Sequence, residues 1–223
     1  MYVGRIMHKH LITVSPDASV KEAMDLLNVN HIEHLLVVNE SGQMIGILSD
    51  RDIKHNLASP ATTFSTHELN YLLDQMNVGM IMVKKVITVT PDTTVEDAAQ
   101  IIRKNEISSL PVMEEGKPVG IVTKTDVMGV LMDAMGLGQP NARLIVLVRN
   151  RIGVLADICT KLRDEGININ SLITWPEKDL EGVFQLVLRV RDEKRQAAIE
   201  AMESLGLKVL TSYEEDHSSY VCD

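Results

Sequence analysis

Two short segments of the sequence place a hydroxyl and a carboxylate at a spacing that suits a sugar phosphate. Residues 46–52 read GILSDRD and residues 120–126 read GIVTKTD. In each, a serine or threonine ends a predicted strand, and Asp52 or Asp126 follows three residues later in the first turn of a predicted helix. A helix N-terminus and a hydroxyl can face phosphate oxygens, and a carboxylate can accept hydrogen bonds from both hydroxyls of a ribose. The segments therefore predict a nucleotide site.

The same residue types also form ordinary helix caps, and that alternative stays open. For one segment alone, capping is the favoured interpretation, but its recurrence in a second copy favours binding. Gly46 and Gly120, which begin the segments, would let the backbone approach a ligand closely.

An internal repeat contains both segments. Across Met7–Asn39 and Met82–Glu114, 13 of 33 paired positions are identical at an offset of 75 residues, which indicates duplication. Each copy has a β-α-β-β-α pattern, with Ser19 and Thr94 as caps of the first helices. Neither copy could cover its small sheet alone, so we expect one pseudo-symmetric unit.

The second half of the chain reads as a different module. Strand and helix patterns alternate as βαββαβ, the ferredoxin-like order, after a Gly- and Pro-marked linker at Gly136–Ala142. The fold class is thus α/β (α+β). The predicted division is a first repeat at 1–60, a linker helix at 61–79 that begins with the capping box Ser65–Glu68, a second repeat at 80–136, the third module at 143–213 and a flexible tail at 214–223.

The repeats resemble tandem CBS domains, a Bateman module, over residues 1–135. The shared pattern is a methionine, then I-T-V-x-P-D, then I-x-x-L-[LP]-V, then G-h-h-[ST]-x-x-D, where h is hydrophobic. The resemblance implies two clefts that bind AMP, ADP or ATP, with S-adenosylmethionine as an alternative ligand. One implied site consists of Met7, Ile12, Ile32, Glu33, His34, Ile121, Thr123 and Asp126. The other consists of Met82, Ile87, Ile107, Ser108, Ser109, Ile47, Ser49, Arg51 and Asp52.

In these implied sites Ile12 and Ile87 would flank adenine, and the two aspartates would hold ribose. Arg51 is the best candidate for a phosphate contact, and Lys124 is a weaker one that otherwise reads as a solvated cation. Glu33 would repel phosphate if it pointed inward, and Leu36 stands where the family usually has proline, as at Pro111. The two sites are therefore not expected to be equivalent.

The third module resembles an ACT domain, on the loop N-R-I-G-V-L at residues 150–155 and G-I-N-I-N-S at residues 166–171. The resemblance implies pairing of such domains and an amino-acid site. Its residues would be Asn150, Ile152, Gly153, Val154, Leu155 and Asn168. Dimerisation without a ligand, with Gly153 serving only a tight turn, is an equal alternative. The domain order resembles the acetoin utilization protein AcuB family, which implies a role in carbon metabolism.

Composition and missing motifs limit the function classes. A net charge of −9 disfavours nucleic acid and anionic membrane as partners. Cys159, expected to be buried, and Cys222 make no disulfide framework, and nothing near Met1 resembles a signal peptide, so a cytoplasmic protein is expected. No catalytic cofactor is expected.

No nucleophile–base pair or P-loop is present, so we predict no catalysis. His31 and His34 lack a third metal ligand, and His8 and His10 have no acidic partner nearby in the sequence. The predicted function is a non-catalytic sensor that acts as a homodimer or larger assembly, with a metabolic enzyme as a further partner. The alternative is a ligand-free scaffold of an enzyme complex.

Overall fold

The computed structural model describes residues 1–56, 71 and 73–221. The helices, numbered among the described residues, are α1 Val20–Val29, α2 Asp50–Asn56, α3 Val78–Ile81, α4 Val95–Asn105, α5 Lys124–Ala134, α6 Val154–Asp164 and α7 Arg195–Ser204. The strands are β1 Thr13–Val14, β2 His34–Val38, β3 Met44–Ser49, β4 Ser109–Glu114, β5 Lys117–Thr123, β6 Ala142–Arg149, β7 Ser171–Pro176, β8 Val183–Val190 and β9 Val209–Leu210. The chain forms two compact units, Met1–Met128 and Gly129–Asp223.

The first repeat forms the predicted β-α-β-β-α unit. The Ser19 hydroxyl accepts a hydrogen bond from the Glu22 N–H at 3.1 Å and so starts α1. The buried positions of α1 are Val20, Ala23 and Leu27, one stripe at helical spacing. The sheet has the order β1-β2-β3, with β1 parallel and β3 antiparallel to β2. The apolar strand β2 is therefore central, and its middle residues are buried.

The second repeat has the same plan with less pairing at its first strand. The Thr94 hydroxyl caps α4 by accepting from the Asp97 N–H at 3.0 Å. Strands β4 and β5 form an antiparallel pair, but the segment that matches β1 meets β4 only at a single bridge between Val89 and Val112. Pro111 has no N–H to donate to that neighbour, which accounts for the shorter ladder.

Each repeat is completed by the chain that precedes the other repeat. The Val3 N–H donates to the Thr93 carbonyl at 2.8 Å, and at the matching place the Val78 N–H donates to the Ala18 carbonyl at 2.9 Å. The N-terminal residues, which the sequence assigned to the first repeat, thus pack on the second. Residues 1–128 form one pseudo-symmetric unit as expected.

The second unit has the ferredoxin-like topology. Its sheet order is β7-β8-β6-β9, and a core of aliphatic side chains from β6, β8, α6 and α7 fills one side of the sheet. The apolar patterns of residues 167–174 and 207–213 predict two strands, and both are shorter in the structure: β7 is Ser171–Pro176 and β9 is only Val209–Leu210. β9 pairs with only Ile145 and Val146 of β6, so its flanking residues lack a ladder partner.

Two expectations about side chains in the second unit need correction. Cys159 is exposed, because it follows Ile158 by one helical step and lies off the buried stripe of Ile158 and Leu162. The tail that was predicted to be flexible contains a 3₁₀ turn at Ser218–Tyr220, and the His217 ring lies 3.0 Å from a carboxylate oxygen of Glu177.

Part of the predicted linker helix at 61–79, with its capping box Ser65–Glu68, lies outside the described residues, as does Cys222. Among the described helices, none combines the length and the apolar character that crossing a bilayer requires.

Candidate functional site

The first unit contains two clefts related by the repeat. The first, which we call the wide cleft, has a cavity of about 820 Å³. Its lining residues are Met7, His8, Lys9, His10, Leu11, Ile12, Asn30, His31, Ile32, Glu33, His34, Leu36, Ser108, Ile121, Thr123, Lys124 and Thr125. Preformed ligand pockets typically enclose about 300–1,000 Å³, so this cavity has room for a nucleotide.

The second, which we call the narrow cleft, has a cavity of about 180 Å³. Its lining residues are His34, Ile47, Ser49, Arg51, Asp52, Val83, Lys85, Val86, Ile87, Glu106, Ile107, Ser108 and Ser109. This volume is below the range of typical ligand pockets, so the narrow cleft must open to hold a nucleotide.

The residues implied by the family resemblance collect at these clefts. All of the first implied set except Asp126 line the wide cleft, and all of the second set except Met82 line the narrow cleft. Lys124 lines the wide cleft and Arg51 the narrow one, on the first turns of α5 and α2. The sets implied by the resemblance thus lie together in the structure, while their role in binding stays a prediction.

The two aspartates serve as helix caps in this structure. The backbone N–H and the hydroxyl of Ser49 donate to Oδ2 of Asp52 at 2.8 and 2.5 Å. The backbone N–H and the hydroxyl of Thr123 both donate to Oδ2 of Asp126 at 2.7 Å. Capping and ligand binding are not exclusive, because each cap uses a single carboxylate oxygen.

The second carboxylate oxygen differs between the copies. Oδ1 of Asp126 lies 3.0 Å from Nε2 of His8, whereas Oδ1 of Asp52 has no hydrogen bond to any of the described residues. The sequence-based view that His8 lacks an acidic partner is wrong, since Asp126 is 118 residues away in the chain and adjacent in space.

The hydrogen bonds around Asp126 also set its charge. Burial acts to raise the pKa of this carboxyl, but hydrogen bonds from Thr123 and His8 outweigh burial and hold the pKa below its usual range. Asp126 is therefore a carboxylate at neutral pH, as an acceptor for sugar hydroxyls must be.

His34 and Ser108 form a wall that both clefts share. Nε2 of His34 and the Ser108 hydroxyl are hydrogen-bonded at 2.8 Å, and both residues line both cavities. Burial lowers the pKa of His34, and the carboxylates of Glu33 and Asp52 only partly offset it. His34 is thus a neutral hydrogen-bonding group at neutral pH.

Gly46 and Gly120 also have a packing role that the sequence did not predict. A Cβ atom on Gly120 would lie 2.5 Å from the sulfur of Met7, and one on Gly46 would lie 2.6 Å from the sulfur of Met82. The glycines make room for these methionines, which belong to the segments exchanged between repeats.

Several residues at the clefts were missed by the sequence analysis. They are His8, Lys9, His10, Leu11, Asn30, His31, Leu36 and Thr125 in the wide cleft, and Val83, Lys85, Val86 and Glu106 in the narrow cleft. The available signal was the repeat itself, because the offset of 75 relates His8 to Val83, His10 to Lys85 and His31 to Glu106.

The residues implied for amino-acid binding do not meet in one cavity of the single chain. Val154 lines a cavity of about 410 Å³ beside α6, whereas Asn168 lines a separate one of about 540 Å³. The Asn150 N–H donates to the Gly182 carbonyl at 2.8 Å, and Ile152 is fully exposed. Gly153 has a φ of 92°, as a tight turn requires, and Leu155 is also exposed. The amino-acid site stays a prediction.

Within the described ranges, no group of three or more His, Cys, Asp or Glu side chains is placed to hold a metal ion.

Family comparison assigns both parts of the chain. The CBS domain family matches residues 3–59 and 78–133, and the ACT domain family matches residues 142–207. A CBS domain-containing protein from Dictyostelium discoideum is 30% identical over 134 residues, which are 60% of this chain and 92% of that protein.

Solved structures give the same fold. The CBS domain pair of protein MJ0100, in complex with 5′-methylthioadenosine and S-adenosyl-L-methionine, is 30% identical with a TM-score of 0.51 and covers 60% of this chain and 97% of that one. A Vibrio cholerae protein assigned to acetoin utilization (AcuB) is 23% identical with a TM-score of 0.50 and covers 63% of this chain and 98% of that one. At that identity the likeness shows the fold alone, so a link to acetoin stays a prediction.

Some matching relatives are enzymes of much greater length. A homoserine O-acetyltransferase from Methanosalsum zhilinae is 34% identical over 126 residues, but the chain covers only 23% of that enzyme. The enzyme's activity is therefore not transferred to this chain.

Proposed function

The chain belongs to the CBS domain family, with an ACT domain after its CBS pair, and from that premise we propose that it is a non-catalytic regulatory protein that binds adenine nucleotides in its two clefts. CBS and ACT domains are regulatory modules. The observation that carries the proposal is the strand-end hydroxyl and the helix-start cation that line each cleft. The motif carboxylate lines the narrow cleft as Asp52, and at the wide cleft Asp126 is hydrogen-bonded to the lining residue Thr123.

Each cleft offers separate groups for the base and for the ribose of a nucleotide. Ile12 in the wide cleft and Ile87 in the narrow cleft provide apolar surface for a base. Asp126 and Asp52 provide acceptors for ribose hydroxyls. The MJ0100 complex supports the proposal, because that related CBS pair binds two ligands that each contain adenosine.

Regulation would follow from different affinities of the ligand for two states of the protein. In the proposal the nucleotide signal acts on carbon metabolism, with acetoin use as the specific case suggested by domain order. The ACT domain would pair two chains into a homodimer and bind an amino acid as a second signal. A cytoplasmic location and a metabolic enzyme as partner complete the proposal.

Titration calorimetry with AMP, ADP, ATP and S-adenosylmethionine tests the binding sites. The double variant Asp52→Asn/Asp126→Asn keeps an oxygen for each cap but removes the charge that ribose hydroxyls meet. We expect its affinity to fall at least tenfold, since hydrogen bonds to charged groups contribute about 1.5–3 kcal/mol. Asp50→Ala is the matched control, because Asp50 lies in the same turn of α2, pairs with Lys54 and lines neither cleft. Equal affinity in the wild type and the double variant would reject the assigned sites.

The alternative is a scaffold that binds no nucleotide. The closed caps at both aspartates and the small volume of the narrow cleft favour it. A scaffold would give no binding heat with any of the four ligands and would still dimerise in sedimentation analysis.

A further inference from the structure

The two clefts share one pair of backbone hydrogen bonds, at a position where their side chains differ. The backbone of His8 pairs with Ile121 through hydrogen bonds of 2.9 and 3.0 Å, and that of Val83 pairs with Ile47 through bonds of 2.9 and 3.0 Å. The repeat offset of 75 residues makes Val83 the counterpart of His8. The side chain at this position therefore distinguishes the clefts without any change in the scaffold.

The His8 ring covers the carboxylate of the wide cleft. His8 is 62% exposed at its side chain, whereas Asp126 is only 19% exposed, and Asp126 does not line the cavity although Thr123 to Thr125 do. In the narrow cleft, where valine replaces histidine, Asp52 lines the cavity. The wide cleft has the volume for a nucleotide, but its carboxylate is covered. The narrow cleft has an accessible carboxylate, but its volume is small.

A ribose must compete with His8 for Asp126. A carboxylate offers about four acceptor positions, of which Asp126 uses two for the cap and one for His8. The cap fills Oδ2, and Oδ1 has one position left beside His8. Both hydroxyls of a ribose can therefore bind the carboxylate only if the imidazole leaves. A nucleoside that displaces His8 leaves the exposed ring with water in place of a charged acceptor.

A phosphate can give the displaced ring a new partner. The wide cleft is lined by the cations Lys9 and Lys124 and by the additional rings of His10 and His31, with Glu33 as the lining anion. A phosphate held there would accept a hydrogen bond from the imidazole that has left Asp126. A ligand that carries both ribose and phosphate satisfies both partners of the original pair.

We propose that His8 makes the wide cleft selective for phosphorylated nucleosides over nucleosides, by exchanging its hydrogen bond with Asp126 for one with the ligand's phosphate. This rests on the proposed binding of adenine nucleotides. The narrow cleft has Val83 in place of the histidine and therefore lacks this exchange, and any preference for phosphate there depends on Arg51 and Lys85.

The test is calorimetry with adenosine, AMP and ATP on the full chain, in an Asp52→Asn background that weakens the narrow cleft. His8→Val installs the side chain of the counterpart position, so the fold should tolerate it. We expect ATP to bind at least tenfold more tightly than adenosine before the His8 change. In His8→Val, adenosine should bind more tightly and ATP less tightly, so that the affinity ratio falls about tenfold.

A second variant separates the hydrogen bond from the shape of the side chain. The amide of His8→Gln can donate either to Asp126 or to phosphate, so this variant should retain more than half of the selectivity on a logarithmic scale. The NMR signals of the His8 ring in the parent protein can be identified by their absence from the spectrum of His8→Val. These signals should shift when ATP is added to the parent protein.

Different experimental results would reject the nucleotide-binding proposal and the proposal for His8. If the parent protein binds neither adenosine nor ATP, the proposed nucleotide function is wrong and the role of His8 falls with it. If it binds them and the ratio in His8→Val stays within twofold of the parent ratio, only the role of His8 is rejected.

Discussion

At the level of single residues, the clefts depend on two glycines that touch methionine side chains. A Cβ atom on Gly120 would lie 2.5 Å from the Met7 sulfur and 2.8 Å from its Cγ. Met7 precedes His8, whose backbone pairs with Ile121. Any side chain at Gly120 would therefore displace the segment that closes the wide cleft.

We predict that Gly120→Ala destabilises the first unit by about 1–3 kcal/mol, the usual effect of overpacking. Urea unfolding followed by circular dichroism measures it. Gly129→Ala is the matched control, because no atom lies within 4 Å of a Cβ at that helical position, and alanine should stabilise the helix by up to about 1 kcal/mol. If Met7→Ala does not relieve the effect of Gly120→Ala in a double-mutant cycle, the contact is not its cause.

The sequence predicts some of the residues at the clefts but not all of the contacts between them. The family resemblance implies Ile12, Thr123 and their counterparts at the clefts, because those positions match the family's motifs. It does not predict the pair of His8 and Asp126, because that pair depends on how residues 1–8 cross to the second repeat. A side-chain contact over 118 residues leaves no local pattern.

At the level of elements, the N-terminal segment acts as part of the second repeat. Val3 is fully buried, as is its counterpart Val78. The Val95 N–H, in the first turn of α4, donates to the Met1 carbonyl at 3.0 Å. The segment thus supplies both core packing and an acceptor for an unpaired donor at a helix start.

We predict that Val3→Ala lowers the free energy of unfolding by about 1–3 kcal/mol, since it removes two buried methyl groups and leaves a cavity. Hydrogen exchange should then accelerate in α4 and β4 before it does in α1 and β2. Tyr2→Ala is the control, because Tyr2 is exposed and should change stability by less than about 0.5 kcal/mol. Equal acceleration in both repeats, or greater acceleration in the first, would contradict the exchanged packing.

The elements themselves were largely predictable, and the exceptions have local causes. The caps at Ser19 and Thr94 and the buried stripe of α1 follow from residue type and spacing. The length of β9 was overestimated, because the apolar pattern of residues 207–213 does not show that only two of them find a partner strand. Exposure of Cys159 was missed because one helical step separates buried from exposed positions.

At the level of the whole molecule, two units with separate cores share one chain. Residues 1–128 contain both clefts, and residues 129–223 contain the ACT sheet. Helix α5 begins at Lys124 in the cleft motif and continues to Ala134, beyond the division at Met128. A ligand of the clefts therefore acts directly on the first unit and on the second only through coupling.

We predict that ATP at one hundred times its dissociation constant stabilises the first unit by about 2.7 kcal/mol. The second unit should gain less than that, because only the coupling free energy between the units reaches it. Hydrogen exchange measured by mass spectrometry across a urea series reports both units in one experiment, with peptides from β4 for the first and from β6 and β8 for the second. Asp52→Asn/Asp126→Asn should lose both effects. Identical stabilisation of every peptide would show one cooperative body in place of two units, because linkage then acts on the chain as a whole.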